Sequence, residues 1–122
     1  MRVPVPNQIP KPVARYLQAI NNHDTAAIAA TFTEDALVDD IQREIRGIGA
    51  IRKWIEREIT DVRTTMQVIK VTVDQGEALV TAKLDGEFDM SGLSGPLILT
   101  SRFSLAGDRI LRLEIRDDNP AH

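Results

Sequence analysis

The chain has 122 residues, of which 43% are hydrophobic and 27% are charged, as expected for one ordinary globular domain. Its 15 basic and 18 acidic residues give a net charge of −3 without a basic block, which argues against nucleic-acid binding. The chain has no cysteine for disulfides and no apolar run near the roughly 20 residues that cross a bilayer, so we expect a cytoplasmic protein without a membrane partner.

The N-terminal part predicts an extended arm followed by a helix. Residues 1–11 form a proline-rich arm, because proline disfavours both helices and central strands. Pro12 suits the first turn of a helix over residues 12–22. One apolar stripe at helical spacing follows it, made of Val13, Tyr16, Leu17 and Ile20.

Two more helices and a short strand follow. Asp24 is placed to cap a second helix over residues 25–32. Residues 36–41 alternate weakly and predict a short strand. A third helix over residues 48–60 has an apolar face of isoleucines at helical spacing, namely Ile48, Ile51, Ile55 and Ile59.

The second half of the chain changes to a period of two and predicts strands. The predicted strands span residues 64–74, 77–88, 97–105 and 109–116. A glycine-rich connection, 90–96, separates the second strand from the third. Residues 118–122 form a polar tail, so the domain itself covers residues 12–117.

Helices that precede a strand meander predict an α+β fold, a cone in which three helices pack on a curved antiparallel sheet. The inner face of the sheet is apolar, with Ala78, Val80, Ala82, Leu84 and Phe88, then Leu97, Leu99, Ser101, Phe103 and Leu105, then Leu111, Leu113 and Ile115. A sheet that curls away from the helices encloses an apolar cavity, the usual form of a small-molecule site. The residues expected to line this cavity are Leu17, Phe32, Val38, Trp54, Ile55, Val80, Leu84, Phe88, Leu99, Ser101, Phe103 and Leu113.

Paired carboxylates, Asp39 and Asp40, close the first strand and lie on opposite faces of it. If Leu37 faces inward, alternation also turns Asp39 inward, whereas an inward Val38 turns Asp40 inward. The pattern therefore does not decide which of the two carboxylates faces the interior. A carboxylate beside an apolar interior is penalised in its charged form, which suits a general base. Tyr16 is either a core tyrosine with its hydroxyl at the cavity edge or a ligand contact.

Three segments carry a family resemblance: ARYLQAINNHDTAAIAATFTEDALVDD, IRGIGAI and TSRFSLAGDRILRLEI. Together they cover roughly residues 13–116, and they resemble the nuclear transport factor 2-like superfamily. Within it, the chain is most similar to the SnoaL-like polyketide cyclases and the ketosteroid isomerases. The resemblance implies a cystatin-like roll with a small-molecule pocket, although such folds host many functions.

The resemblance to ketosteroid isomerases implies roles for individual residues. Tyr16 takes the place of the tyrosine that donates to the developing oxyanion, and Asp40 takes the place of the aspartate that moves the proton. The protonated aspartate that completes the oxyanion hole is replaced by Leu99. The two supporting tyrosines are replaced by Phe32 and Ile55. Loss of one preorganised donor typically lowers the rate by about 10²–10³, which argues against efficient steroid isomerisation.

Three classes of function follow. The first is a cofactor-independent isomerase or cyclase that acts on a lipophilic carbonyl compound, with Asp40 as base and Tyr16 as electrophile. The second is a binding protein for a similar apolar ligand. The third is a dimerising module, since sheets of this kind often pair through their outer faces. A homodimer is expected through the outer face made of Ile98, Thr100, Arg102, Ile110, Arg112 and Glu114.

No metal or cofactor is expected. The two histidines, His23 and His122, are far apart in sequence, and no spacing of ligand residues supports a metal site. His23 lies at the break between two predicted helices and is assigned a capping or hydrogen-bonding role. Arg43 and Arg46 either pair with Glu44 or line the mouth of the cavity.

Overall fold

The structure, a computed structural model, describes residues 9–87 and 97–117. Within these residues the helical elements are α1 (Lys11–Asn21), α2 (Thr25–Ala29), α3 (Ile48–Ile55) and a π-helical turn over Glu56–Thr60. The strands are β1 (Phe32–Asp40), β2 (Arg43–Arg46), β3 (Thr65–Asp74), β4 (Glu77–Asp85), β5 (Leu97–Ala106) and β6 (Arg109–Asp117). Most of the predicted arm, Phe88, the glycine-rich connection and the polar tail lie outside the described residues.

The six described strands form one open sheet in the order β2-β1-β6-β5-β4-β3. The predicted meander from β3 to β6 is antiparallel, and so is the β1–β2 pair. The pairing of β1 with β6 is parallel, so the sheet is mixed and not antiparallel throughout. Three helices packed on this sheet confirm the predicted α+β class.

Local sequence signals place the first two helices. Pro12 lies in the first turn of α1, as predicted. The side chain of Asp24 caps α2 by accepting a 3.1 Å hydrogen bond from the backbone N–H of Ala27. His23 adopts a positive φ of 54°, and within residues 9–87 and 97–117 its Nε2 is buried without a hydrogen-bond partner.

Helix α2 ends at Ala29, earlier than the predicted residue 32, because the residues that follow pair with strand β6. The hydroxyl of Thr31 donates to the carbonyl of Ile28 at 2.7 Å, and the carbonyl of Thr31 accepts from the N–H of Ile110 at 2.7 Å. Phe32 then begins β1, in register with Ile110. Alanine-rich helix propensity is therefore overridden by pairing with a strand almost eighty residues away.

Strand β2 was not predicted, because its turn has no glycine or asparagine signal. Ile41 and Gln42 connect the two strands with φ of 49° and 71°, the two positive angles of a type I′ hairpin turn. Such angles are unusual for a β-branched residue such as Ile41. Oδ1 of Asp39 accepts a 2.9 Å hydrogen bond from the N–H of Gln42, which stabilises the turn.

Two predicted orientations on β6 are wrong. Leu111 was expected to face inward and Ile110 outward, but Ile110 is fully buried and Leu111 is 41% exposed. Ser104 of β5 pairs with Arg112 of β6, but the next residue, Leu105, pairs with Ile110, so Leu111 has no partner on β5. This bulge exchanges the faces of the two residues, and a pattern of period two does not detect it.

Candidate functional site

A cavity of about 420 Å³ lies at one end of the inner face of the sheet. Its walls come from α1, from the hairpin turn after β1, from α3 with the π-helical turn, and from the ends of β3 to β6. The predicted site residues that line it are Tyr16, Asp40, Trp54, Leu84, Leu99 and Ser101. The volume falls within the usual range for small-molecule pockets.

The other predicted lining residues lie in the hydrophobic core and do not line the cavity. They are Leu17, Phe32, Val38, Ile55, Val80, Phe103 and Leu113, all of them buried. Their faces were predicted correctly, but they lie where the helices cover the sheet. The cavity lies further along the strands, where Asp40 of β1 is in register with Ile115 of β6.

The sequence analysis missed several residues of the cavity wall. They are Ile20, Ile41, Arg57, Glu58, Ile59, Val62, Thr64, Met66, Leu97 and Ile115. Met66 is in register with Leu84, so pairing the predicted strands β3 and β4 would have found it. Ile41 depends on the hairpin, for which the sequence has no clear turn signal. Of the two alternatives given for Arg43, the structure shows the second, a place in the cavity wall.

Asp40, not Asp39, is the carboxylate at the cavity. Its Oδ2 accepts a 3.0 Å hydrogen bond from Nε1 of Trp54 and a second hydrogen bond from the guanidinium of Arg43. Within residues 9–87 and 97–117, Oδ1 has no hydrogen-bond partner. One oxygen of Asp40 is thus held by two donors, and the other remains available as an acceptor.

Asp39 has a structural environment instead. Besides its bond to the turn, its Oδ2 lies 3.5 Å from Nη1 of Arg116. Neither residue lines the cavity. The structure therefore selects Asp40 from the pair that alternation left open.

Tyr16 contributes a buried phenol to the same cavity. Its ring lies edge-on to Phe32 and Phe103, with centroid distances of 5.8 and 5.3 Å. Burial, and then the negative charge of Asp40, raises the pKa of Tyr16 well above 10.0, its ordinary value. The hydroxyl therefore keeps its proton at neutral pH, and no other described residue hydrogen-bonds to it.

A small ion-pair network surrounds the mouth of the cavity. Nη2 of Arg43 lies 3.6 Å from Oε1 of Glu58, and Nε of Arg57 donates to Oε2 of Glu58 at 3.1 Å. The hydrogen bond to Asp40 is the main reason that the pKa of Arg43 is raised, so this guanidinium stays charged. Arg46 pairs with Glu44 at 3.7 Å and does not line the cavity.

The remaining hydroxyls of the cavity wall differ in their partners. The hydroxyl of Thr64 donates to the carbonyl of Glu58 at 3.1 Å. Ser101 is only 4% exposed, and its hydroxyl has no hydrogen-bond partner in the described part of the chain. Leu99, which resemblance places at the site of a second acid, is an apolar part of the wall.

Residues 9–87 and 97–117 contain no group of three or more histidine, cysteine or acidic side chains arranged to hold a metal. None of the helices in these two ranges has the length and apolar character that a membrane span requires.

Comparison with known proteins bears on both the fold and the site. The model of the SnoaL-like domain family matches residues 13–113. A candidate polyketide cyclase from Sinorhizobium meliloti is 34% identical, with a TM-score of 0.80 over 90% of this chain and 97% of the other. These findings confirm the predicted resemblance to SnoaL-like proteins. No match is found among curated proteins.

Two more distant solved structures share the fold. A candidate ketosteroid isomerase from Kribbella flavida is 14% identical, with a TM-score of 0.72 over 88% of this chain and 76% of the other. A computationally designed 17-OHP binder is 15% identical, with a TM-score of 0.76 over 88% of this chain and 90% of the other.

Proposed function

This chain belongs to the SnoaL-like domain family, and on that premise we propose that its cavity binds a small lipophilic carbonyl compound and moves a proton on it. One observation carries the proposal: the protonated hydroxyl of Tyr16 and the carboxylate of Asp40 open on the same cavity. A donor and an acceptor in a mostly apolar site are the two groups that enolisation of a ketone needs.

The proposed step is transfer of a proton from the carbon next to the carbonyl to Oδ1 of Asp40. The electron pair of the C–H bond becomes the new C=C bond, and the carbonyl oxygen takes the negative charge of the enolate. Tyr16 donates a hydrogen bond to that oxygen. Trp54 and Arg43 hold Oδ2 of Asp40, which orients the other oxygen toward the cavity. If a C=C bond lies next to the enolate, return of the proton from Asp40 to the far carbon of the conjugated system completes an isomerisation. If the enolate carbon attacks a second carbonyl carbon instead, a C–C bond closes the ring, the C=O electron pair moves to that oxygen, and the oxygen takes the proton back from Asp40.

The test is exchange of the α-protons of lipophilic ketones in D₂O, followed by NMR with and without the protein. We expect exchange above the buffer rate for ketones that bind, and loss of this excess in Asp40→Asn. Binding without any excess exchange, across ketones that fill the cavity, would contradict the catalytic proposal.

A non-catalytic binding protein is the second candidate, favoured by the environment of Asp40 and by Leu99. Two donors already occupy Oδ2 of Asp40, and Leu99 supplies no second acid to stabilise an enolate. The designed 17-OHP binder supports this candidate, since the same fold serves there for binding. In this case ketone affinity is expected without proton exchange.

We also propose that the chain forms a homodimer through the outer face of the sheet. That face carries Arg102 and Arg112 beside Glu77 and Glu114, and the bulge adds the exposed Leu111. A mixture of charged and apolar groups suits an interface, and a small domain gains stability from burying more surface.

A further inference from the structure

We propose that Ser101 supplies a second hydroxyl to the carbonyl oxygen of the ligand, beside Tyr16. The inference rests on the proposed function, because it assigns how this cavity recognises a carbonyl group. It gives the site two neutral donors for one oxygen. Ser101 would thus supply the second donor that Leu99 lacks, at the position where ketosteroid isomerases have a protonated aspartate.

The hydroxyl of Ser101 has no partner among the described residues, although Ser101 is almost wholly buried on β5. Thr64, on the same cavity, satisfies its own hydroxyl with the carbonyl of Glu58. Unlike Nε2 of His23, the unpartnered Oγ of Ser101 is not sealed inside the protein, so it is accessible to a polar atom of the cavity's occupant.

Ser101 and Tyr16 both lie beside the ring of Phe103. Phe103 is two residues beyond Ser101 and therefore lies on the same face of β5. The ring of Tyr16 packs edge-on against Phe103, with centroids 5.3 Å apart. Ser101 and the ring of Tyr16 therefore both lie beside Phe103, and both residues line the cavity.

The chemistry of this part of the wall suits a carbonyl oxygen. The wall around Ser101 is apolar, with Leu99 on the same strand and Ile115 in register with it, and the carboxylate of Asp40 is the charged group that acts on Tyr16. Tyr16 remains protonated, so it donates, and the serine hydroxyl also has a proton to donate. Two donors in an apolar wall match an oxygen with two lone pairs and no proton of its own, which is the carbonyl oxygen of a ketone.

The test compares two ligands of similar shape, 2-acetylnaphthalene and 2-ethylnaphthalene, of which only the first has a carbonyl oxygen. Dissociation constants are measured by calorimetry for the parent protein, Ser101→Ala and Ser104→Ala. Ser104 is the matched control, because it lies on the outer face of the same strand and its hydroxyl donates to Glu77 at 2.7 Å. The carbonyl stretch of the bound ketone is recorded by infrared difference spectroscopy with ¹³C label.

We expect Ser101→Ala to weaken binding of the ketone about threefold to tenfold and to leave the hydrocarbon unchanged or tighter. The carbonyl stretch of the bound ketone should move to higher frequency in Ser101→Ala and stay in place in Ser104→Ala. Ser101→Ala should also unfold at the same or a higher urea concentration than the parent, since no protein hydrogen bond is lost.

Three results would overturn the inference. Equal ketone affinity and carbonyl frequency in the parent and in Ser101→Ala would exclude contact with Ser101 and leave the proposed function standing. A clear loss of stability in Ser101→Ala would mean that the hydroxyl has a structural partner. Failure of the parent protein to bind the ketone, or any other lipophilic ketone of similar size, would overturn the proposed function and this inference together.

Discussion

Nε1 of Trp54 donates a 3.0 Å hydrogen bond to Oδ2 of Asp40, joining α3 to the end of β1. The two residues are 14 positions apart, and both line the cavity. A hydrogen bond to a charged acceptor in a partly buried site is stronger than a neutral one. This contact therefore both fixes the carboxylate and connects the helical layer to the sheet.

The first prediction follows from that bond. Trp54→Phe removes the donor and keeps an aromatic ring, so the free energy of unfolding should fall by about 1.5–3 kcal/mol, with an added loss from the smaller ring. Urea denaturation measures the change. In a double-mutant cycle with Asp40→Ala, the two losses should be less than additive, and strict additivity would show that the contact contributes nothing.

The second prediction concerns Tyr16, the one tyrosine in the sequence. Its folded-state pKa is raised above the unfolded value of 10.0, so its contribution to stability is complete below pH 10 and is lost as the pH rises further. Absorbance at 295 nm should therefore show no ionisation near pH 10 in the folded protein, only a rise that coincides with alkaline unfolding. In 6 M guanidinium the same residue should titrate near its ordinary pKa. A folded protein that titrates there would refute the burial argument.

The third prediction compares two glycines at the start of α3. Gly47 has φ of 88° and ψ of 153°, a conformation that side chains disfavour, whereas Gly49 lies inside the helix. Neither has an atom within 4 Å of the position of an added Cβ, so sterics with neighbours do not separate them. Gly47→Ala should destabilise by roughly 1–3 kcal/mol through backbone strain. Gly49→Ala should stabilise by about 0.5–1 kcal/mol in thermal or urea unfolding, and similar effects at both sites would contradict this assignment.

The fourth prediction separates the two carboxylates. Asp40→Asn keeps the shape of the side chain and removes the base, so it should abolish proton exchange on a bound ketone and leave its affinity nearly intact. Asp39→Asn keeps the oxygen that accepts from Gln42 and loses only an ion pair to a half-exposed arginine, so neither exchange nor affinity should change appreciably. Exchange at the parent rate in Asp40→Asn would remove Asp40 from the proton-transfer role.

The fifth prediction tests the homodimer. Sedimentation at micromolar concentration should give the dimer mass for the parent protein and a shift toward monomer for Leu111→Glu, which places a charge on the outer face. Val73→Glu is the control, because Val73 is similarly exposed, at 45%, but does not lie on the outer face. It is in register with Ala78, whose side chain faces the core, and directly paired residues of two strands point to the same face of the sheet. A monomeric parent, or equal effects of the two variants, would argue against an interface on the outer face.

Periodicity in the sequence was sufficient for the elements with a strong local pattern. The apolar stripe of α1, the isoleucine face of α3 and the alternation of β3 to β5 predicted these elements within a few residues, because each pattern records burial of one face. The resemblance of the chain to SnoaL-like proteins, which the family comparison confirmed, also came from the sequence. Composition and local pattern thus determined the class of the fold.

Tertiary structure alone decided where along those faces the cavity lies and which groups meet there. Alternation assigns a residue to a face but not to a position along the strand, so Val80 and Leu84 of β4 were equivalent until tertiary packing buried the first in the core and left the second at the cavity. The choice of Asp40 over Asp39, and its contact with Trp54, depend on the parallel pairing of β1 with β6 and on the packing of α3. Those contacts join distant parts of the chain, and their energies are not encoded in any local pattern of residues.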